Sequence, residues 1–341
     1  VNLKPHSPDP DPEGTCAPRL RRKVAISLLG TLIVAAILAY TLAGRGAQFS
    51  AALRTAPLAL VAASVLLQII AVLARTEAWT VCVRATGASV TRRILFRSAA
   101  LGAVASIVNG SAGMAVRITA VRRAAPQTSP GAGALVAAEV PIITVELALV
   151  AIFSFTLVAP LGVPLWVPAL IIAAMAGLVF ALRRVSSRYR TGLGAGLAVL
   201  RMQSRGRLTA FALLAVCCQV LRNWLMLRAI GVDVSIFSSM ALLIVMFTVG
   251  QLPIGPSTGP AATVLILGSH GIAATAAVGV LVTLTGIVGT LLFAGWALTD
   301  TLLGRRRAGA PGRMITPLLS QSLPLAPLMP PVSAPVAVSE T

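Results

Sequence analysis

The chain is poor in charge, in acid and in the side chains that carry most enzyme chemistry. Of its 341 residues only 11% are charged and nine are acidic, where a soluble domain is usually about a quarter charged. There are two His, His6 and His270, far apart in sequence, and four Cys. Cys16 lies in a polar tail, Cys82 at the end of an apolar run, and Cys217 and Cys218 are adjacent inside another. That pattern has neither a disulfide framework nor metal-ligand spacing. No P-loop, dinucleotide motif or Ser/His/Asp set occurs, and no loop is long enough for a soluble catalytic domain. These absences point away from an enzyme, and no cofactor or metal is expected.

What remains is apolar. Hydrophobic residues make up 57% of the chain and the mean hydropathy is +0.91. Apolar runs of roughly 18 residues or more recur, long enough to cross a hydrocarbon core about 30 Å thick. The sequence predicts an all-α polytopic membrane protein. The net charge of +19 is almost entirely Arg, with only two Lys. These Arg fall in short loops between apolar runs, so they set orientation and meet anionic lipid, and no nucleic acid is expected. The Ala/Val/Arg bias fits a bacterium, and the expected location is its plasma membrane.

The first 18 residues are polar, with four prolines between Pro5 and Pro12. An apolar run follows the basic stretch Arg19–Lys23 at full span length, and reads as an uncleaved first helix, about 24–42, with a cytoplasmic flank. Further crossings are expected at about 58–78 (to 83 if Arg75 and Glu77 lie inside it), 133–159, 164–182, 208–230 and 275–298. Residues 183–207 hold seven Arg and no acid, the strongest cytoplasmic loop. Residues 308–341 are Pro-rich with little charge and read as a disordered tail.

Two apolar stretches are broken. Residues 98–116 contain Asn109-Gly110-Ser111-Ala112-Gly113 and end in Arg117, Arg122 and Arg123. Residues 236–272 contain Pro253-Ile254-Gly255-Pro256. Basic flanks on both sides of the first imply entry and exit on one face. The expectation is about six full spans plus two re-entrant broken segments, within residues 19–307, with both termini cytoplasmic. Eight full spans is the alternative. It keeps both termini inside but exports or hides Arg117, Arg122 and Arg123.

The two halves repeat. Residues 71–90 read AVLARTEAWTVCVRATGASV and residues 215–234 read AVCCQVLRNWLMLRAIGVDV. Trp79 falls opposite Trp224, Arg84 opposite Arg228 and Gly87 opposite Gly231, with a one-residue slip. The breaks then fall in register, which predicts inverted repeats over about 58–159 and 208–298. Broken helices at matching positions of inverted repeats mark transporter sites near the midplane. Their freed N–H groups hold anions, and Asn109, Gly110, Gly113, Pro253, Gly255 and Pro256 are the candidates. A plain packing role for the breaks stays open.

Charges inside the membrane cost roughly 2.5–3.5 kcal/mol on insertion scales and tend to carry function. Arg222 follows an apolar run of only about fourteen residues and so cannot lie at the far interface; Asn223 adjoins it. The repeat sets Arg222 opposite Glu77, which predicts a Glu77–Arg222 pair with Arg75 as a second cation. Glu139 and Glu146 share one helix face, Glu146 roughly 20 Å deep, with Pro141 between them. They serve proton coupling or charge balance for Arg117 and Arg222.

From about Leu28 to Thr301 the chain resembles the flippase-like transmembrane region of bacterial lysylphosphatidylglycerol synthases, which also occurs as stand-alone membrane proteins. The family's first re-entrant motif, roughly L-P-x-R-x-G-(D/E)-x-x-R, is similar to Val108–Arg117. Gly113 and Arg117 match; Asn109, Ser111 and Met114 replace Pro, Arg and the acid. The second, roughly P-x-x-P-G-G-x-G-x-x-E, is similar to Pro253–Thr263. Pro253 and Pro256 match; Ser257-Thr258 replaces the Gly pair and Thr263 the acid. A family segment with Glu-Arg followed by Asp resembles Glu139–Glu146 in part, without the Arg. The resemblance implies movement of phospholipid headgroups between leaflets, notably aminoacylated phosphatidylglycerol. Aminoacyl transfer belongs to a separate soluble domain of longer members, which is not among these residues.

The function expected is translocation of an anionic phospholipid or polyprenyl-linked lipid, with Arg222, Arg117 and Arg75 on the phosphate. A small-anion transporter and a non-transporting scaffold stay open, as does a homo-oligomer.

Overall fold

The computed structural model of the chain describes residues 44–108, 110–158, 162–188, 205–250 and 271–309, with single positions elsewhere. The tail at 1–18, nearly all of 308–341, most of the predicted first span and the break at 253–260 lie outside the described residues. All regular structure among the described residues is helical. Residues to Thr301 form one compact unit; Leu302–Thr341 form a second, of which the end of the last helix is described.

The helices are α1 (Gly46–Thr55), α2 (Leu58–Ala85), α3 (Arg92–Val108), α4 (Gly110–Ala124), α5 (Ala132–Ala137), α6 (Val140–Phe153), α7 (Trp166–Arg188), α8 (Arg205–Ala229), α9 (Ile236–Gly250) and α10 (Ile272–Gly309). A 3₁₀ turn, Ser154–Leu157, prolongs α6. Five stretches are long and apolar enough to cross a membrane: Leu58–Ala85, Ala132–Leu157, Trp166–Val185, Arg205–Ala229 and Ile272–Gly304. They coincide, within a few residues at most ends, with five of the six crossings predicted from the sequence.

Two of these helices, α2 and α8, end alike. The last helical residues Ala85 and Ala229 are each followed two positions on by a glycine in the left-handed region, Gly87 at φ 86° and Gly231 at φ 77°. Each glycine N–H returns to a carbonyl three residues back, Arg84 and Arg228, both at 3.0 Å. A side chain is strained at such a φ, so glycine sets the exit of the chain. The next helices begin at Arg92 and Ile236, at the same spacing from their glycines.

α2 and α8 pack along one another in opposite directions, the most extensive helix pairing among the described residues. Gln68 near the middle of α2 meets Gln219 and Arg222 of α8. The C-terminal part of α2 shares a core with Leu208, and Leu60 and Val61 near its start pack with the core of Met226 and Leu227. Antiparallel packing of equivalent helices is the arrangement an inverted repeat requires.

α3 and α4 are joined by one residue and fold back on each other. Their backbones approach where Gly102 faces Gly113: a Cβ at Gly102 would stand 2.7 Å from the Gly113 carbonyl oxygen, and one at Gly113 equally close to that of Gly102. At 17 and 15 residues they are about 25 Å and about 22 Å long, short of a full crossing. The hairpin brings its two Arg-rich ends, Arg92 and Arg93 with Arg122 and Arg123, to one side. The break is narrower than predicted. Gly110 to Gly113 is already helical, because Gly113 serves close helix approach and not a turn. The open end of α3 is tied to α10: Asp300 accepts from Arg93 and Arg97, and Phe96 packs edge-on to Phe293 and Trp296, both at 6.4 Å.

Polarity is inverted relative to a soluble fold. Leu66, Leu101, Leu170, Phe180, Leu291 and Leu292 are exposed, while Gln68, Thr76, Glu139, Glu146, Arg222 and Asn223 are buried. This pattern is stable with hydrocarbon outside, so the protein is an integral membrane protein.

Gly102→Ala is expected to destabilise the hairpin by roughly 1–3 kcal/mol through overpacking. Gly177→Ala, where a Cβ meets nothing within 4 Å, serves as control. Thermal unfolding of the two variants in detergent checks this, with a clear drop expected for Gly102→Ala alone.

Candidate functional site

The polar interior is organised on one stripe of α2. Ser64, Gln68, Arg75 and Trp79 are spaced by four, seven and four residues, which puts them on a single helix face. Two centres form along it, at Gln68 and at Arg75–Trp79. Gln68 and Arg75 are about 10 Å apart by helical rise.

The first centre holds Arg222. Its Nη1 donates to Gln68 Oε1, which also accepts from Gln219 Nε2 at 3.2 Å. Arg222 is 7% exposed, its Nε has no partner, and no carboxylate pairs with it among the described residues. It sits roughly 21 Å along α8 from Leu208, the start of the apolar run, and Gln68 sits roughly 15 Å along α2 from Leu58. α10 closes this centre with two glycines one turn apart. A Cβ at Gly286 would lie 3.2 Å from Arg222 Nη1, and one at Gly289 only 2.7 Å from Gln68 Cγ. Only a helix without side chains there admits both. Asn223, fully buried beside Arg222, turns toward α9, with its Nδ2 3.9 Å from Met246 Sδ and its Oδ1 unpartnered. Ser64 Oγ, one turn from Gln68, is also unpartnered.

The second centre is neutralised. Arg117 of α4 pairs with Glu139 and lies over the Trp79 ring, 4.3 Å from its centroid. Arg75 Nη2 pairs with Glu146 Oε2 at 3.1 Å. Glu139 occupies the break between α5 and α6. Pro141 has no N–H for the Ala137 carbonyl, and the helix is interrupted at Ala138–Glu139. Glu139, Glu146 and Arg117 are closed off, while the Arg75 side chain is 50% exposed.

The predicted Glu77–Arg222 pair does not form. Glu77 pairs with Arg92 at the start of α3. In the antiparallel crossing Arg222 meets Gln68, and Glu77 is nine residues further along α2, roughly 14 Å away by helical rise. The structure therefore separates Glu77 from Arg222, and brings together Arg75, Arg117, Glu139 and Glu146. Of the remaining candidates, Gly110 and Gly113 belong to the hairpin, while Asn109, Pro253, Gly255 and Pro256 lie outside the described residues.

Gln68, Gln219, Gly286 and Gly289 were not singled out from the sequence. The signals were present. Gln68 and Ser64 are the only polar residues between Leu58 and Ala74, and Gly286-Ile287-Val288-Gly289 is a small-residue notch in an apolar helix.

Glu139→Gln leaves Arg117 as an uncompensated buried cation and is expected to cost about 3–5 kcal/mol. The double variant Glu139→Gln/Arg117→Gln removes the charge and is expected to recover much of that loss. Melting temperatures of wild type, both single variants and the double variant in detergent form the cycle that checks it.

No curated protein and no solved structure matches this sequence. The family described as the lysylphosphatidylglycerol synthase TM region matches residues 27–304, most of the chain and all the helices that build both centres. The chain belongs to the lysylphosphatidylglycerol synthase TM region family, a membrane family related to lipid modification and flipping.

Proposed function

We propose that the protein moves an anionic phospholipid or polyprenyl-linked lipid between the leaflets of a bacterial plasma membrane, with both termini in the cytoplasm. No covalent chemistry is involved. The observation that carries this reading is Arg222. A buried guanidinium is held where α2 and α8 cross, with an amide partner and no carboxylate among the described residues. A phosphate answers both deficits, supplying the missing charge and acceptors for the free Nε.

The second centre fits a supporting role. Arg75, half exposed and only singly paired, stands about 10 Å from Gln68 on the same face and is the next cation a moving headgroup meets. Glu146 and Glu139 hold Arg75 and Arg117 neutral between passages. An apolar groove between α6 and α7, apart from the Arg222 centre, offers a surface for an acyl chain. It is about 420 Å³, lined by Ala148, Ala151, Ile152, Met175 and Phe180, and ends at Arg183. An acyl chain fits such a wall; a hydrated anion does not.

The test is transbilayer movement of a labelled anionic phospholipid in proteoliposomes. Arg222→Ala is expected to slow it about 10- to 100-fold, the value of a charged hydrogen bond. Gln68→Glu separates function from folding. It gives Arg222 an internal counter-ion, so the melting temperature is expected to hold or rise while movement falls. Full movement by Gln68→Glu would overturn the role of Arg222. Wild type no faster than empty liposomes, alongside uptake of a small anion, would replace lipid by solute.

A further inference from the structure

A cleft edged by two arginines lies at the open end of the α3–α4 hairpin. Between the C-terminal half of α4 and the start of α5 lies a cleft of about 540 Å³, within the range of small-ligand pockets. Its floor is Ile118, which is buried; its walls are Pro126, Ala132 and Val136. Its rim carries Arg122 and Arg123, adjacent in the last turn of α4. Both are exposed, and neither has an ion pair or hydrogen bond among the described residues. The other Arg residues of the hairpin are committed: Arg92 to Glu77, Arg93 and Arg97 to Asp300, Arg117 to Glu139. Two unanswered charges therefore edge a cleft whose remaining lining is apolar apart from Thr119.

We propose that this cleft binds the phosphodiester headgroup of an anionic glycerophospholipid as a resident lipid, with the phosphate between Arg122 and Arg123. The proximal part of the lipid packs on Pro126, Ala132 and Val136. Charge complementarity identifies the anion, because a guanidinium pairs with phosphate bidentately and keeps its charge at any relevant pH. The apolar wall identifies the lipid. Free phosphate gains nothing from it, and at exposed Arg its attraction is screened within about 8 Å at physiological ionic strength. From the exposed wall residue Val136 the apolar surface continues outside the cleft to Val116, also exposed, where an acyl chain follows the headgroup. Basic pockets between transmembrane helices are established binding places for anionic headgroups.

The site is separate from Arg222. It lies at a helix end, it is open and not enclosed, and its lipid stays in one leaflet. It holds the α4–α5 turn, and through it the break carrying Glu139, without taking part in transfer.

Native mass spectrometry of the full chain in neutral detergent tests it, by titration with phosphatidylglycerol, phosphatidylcholine or inorganic phosphate. Wild type is expected to retain one phosphatidylglycerol more tightly than any phosphatidylcholine. Arg122→Gln/Arg123→Gln is expected to weaken that binding about 30-fold, from about 1 kcal/mol per Arg near a charged headgroup. Val136→Trp fills the cleft without touching charge and is expected to weaken it too. Arg205→Gln/Arg207→Gln removes the same charge from the start of α8 and is expected to bind as wild type. Melting temperatures confirm that each variant is folded. Equal retention by wild type and the Arg122/Arg123 variant overturns the proposal, as does equal loss in the Arg205/Arg207 variant. Displacement of the lipid by equimolar inorganic phosphate overturns the lipid and leaves a phosphate site. Loss of phosphatidylglycerol movement with binding intact concerns the Arg222 reading alone.

Discussion

The Gln68–Arg222 contact is the point on which the packing of the membrane unit turns. A guanidinium buried inside a membrane protein must find its partners within the chain or in a ligand, so its position, its partner and the helices around it are set together. Gln68 answers it from α2, which fixes the register of the α2–α8 crossing. Gly286 and Gly289 answer it from α10 by offering no side chain, which fixes how closely the third helix approaches. Three helices are thus keyed to one side chain, and the crossing of α2 and α8 is where the cation sits.

Along the same face of α2 the chain treats charge in two ways. About 10 Å from Gln68, Arg75 and Arg117 are each matched by a carboxylate and Arg117 is further covered by the Trp79 ring. Matched, buried pairs add little net stability but make the loss of either partner expensive. Among the described residues Arg222 has no carboxylate partner, and this is the deficit that the proposed anion would fill. One row of residues therefore holds both the structural charges and the candidate ligand group.

The hairpin of α3 and α4 is built on contact between backbones. Gly102 and Gly113 remove the side chains that would separate the helices, so two helices too short to cross the membrane form a paired element. It is pinned at its open end by Arg93, Arg97 and Asp300 and by the Phe96, Phe293 and Trp296 rings. Arg117 sits on that hairpin and Glu139 on the neighbouring helix break, so their ion pair joins the two.

The sequence by itself determined the class of fold and the places of five crossings. Apolar runs of span length leave no soluble alternative, and Gly87 and Gly231 mark equivalent helix ends because a left-handed φ admits few other residues. It also flagged Arg222, Arg117, Arg75, Glu139 and Glu146 as charges out of place, since the cost of burying a charge depends on depth, and depth follows from position along a run. It did not determine who pairs with whom. Sequence register puts Glu77 opposite Arg222 as symmetry mates, but mates related by a two-fold meet only where the helices cross. The crossing lies at Gln68, and that depends on how two helix surfaces interlock. The glycines show the same division: Gly113 reads as a break, and only its distance from Gly102 reveals a packing contact. Local propensity and hydropathy are properties of a segment; a partner is a property of two segments brought together, and the tertiary structure alone decides it.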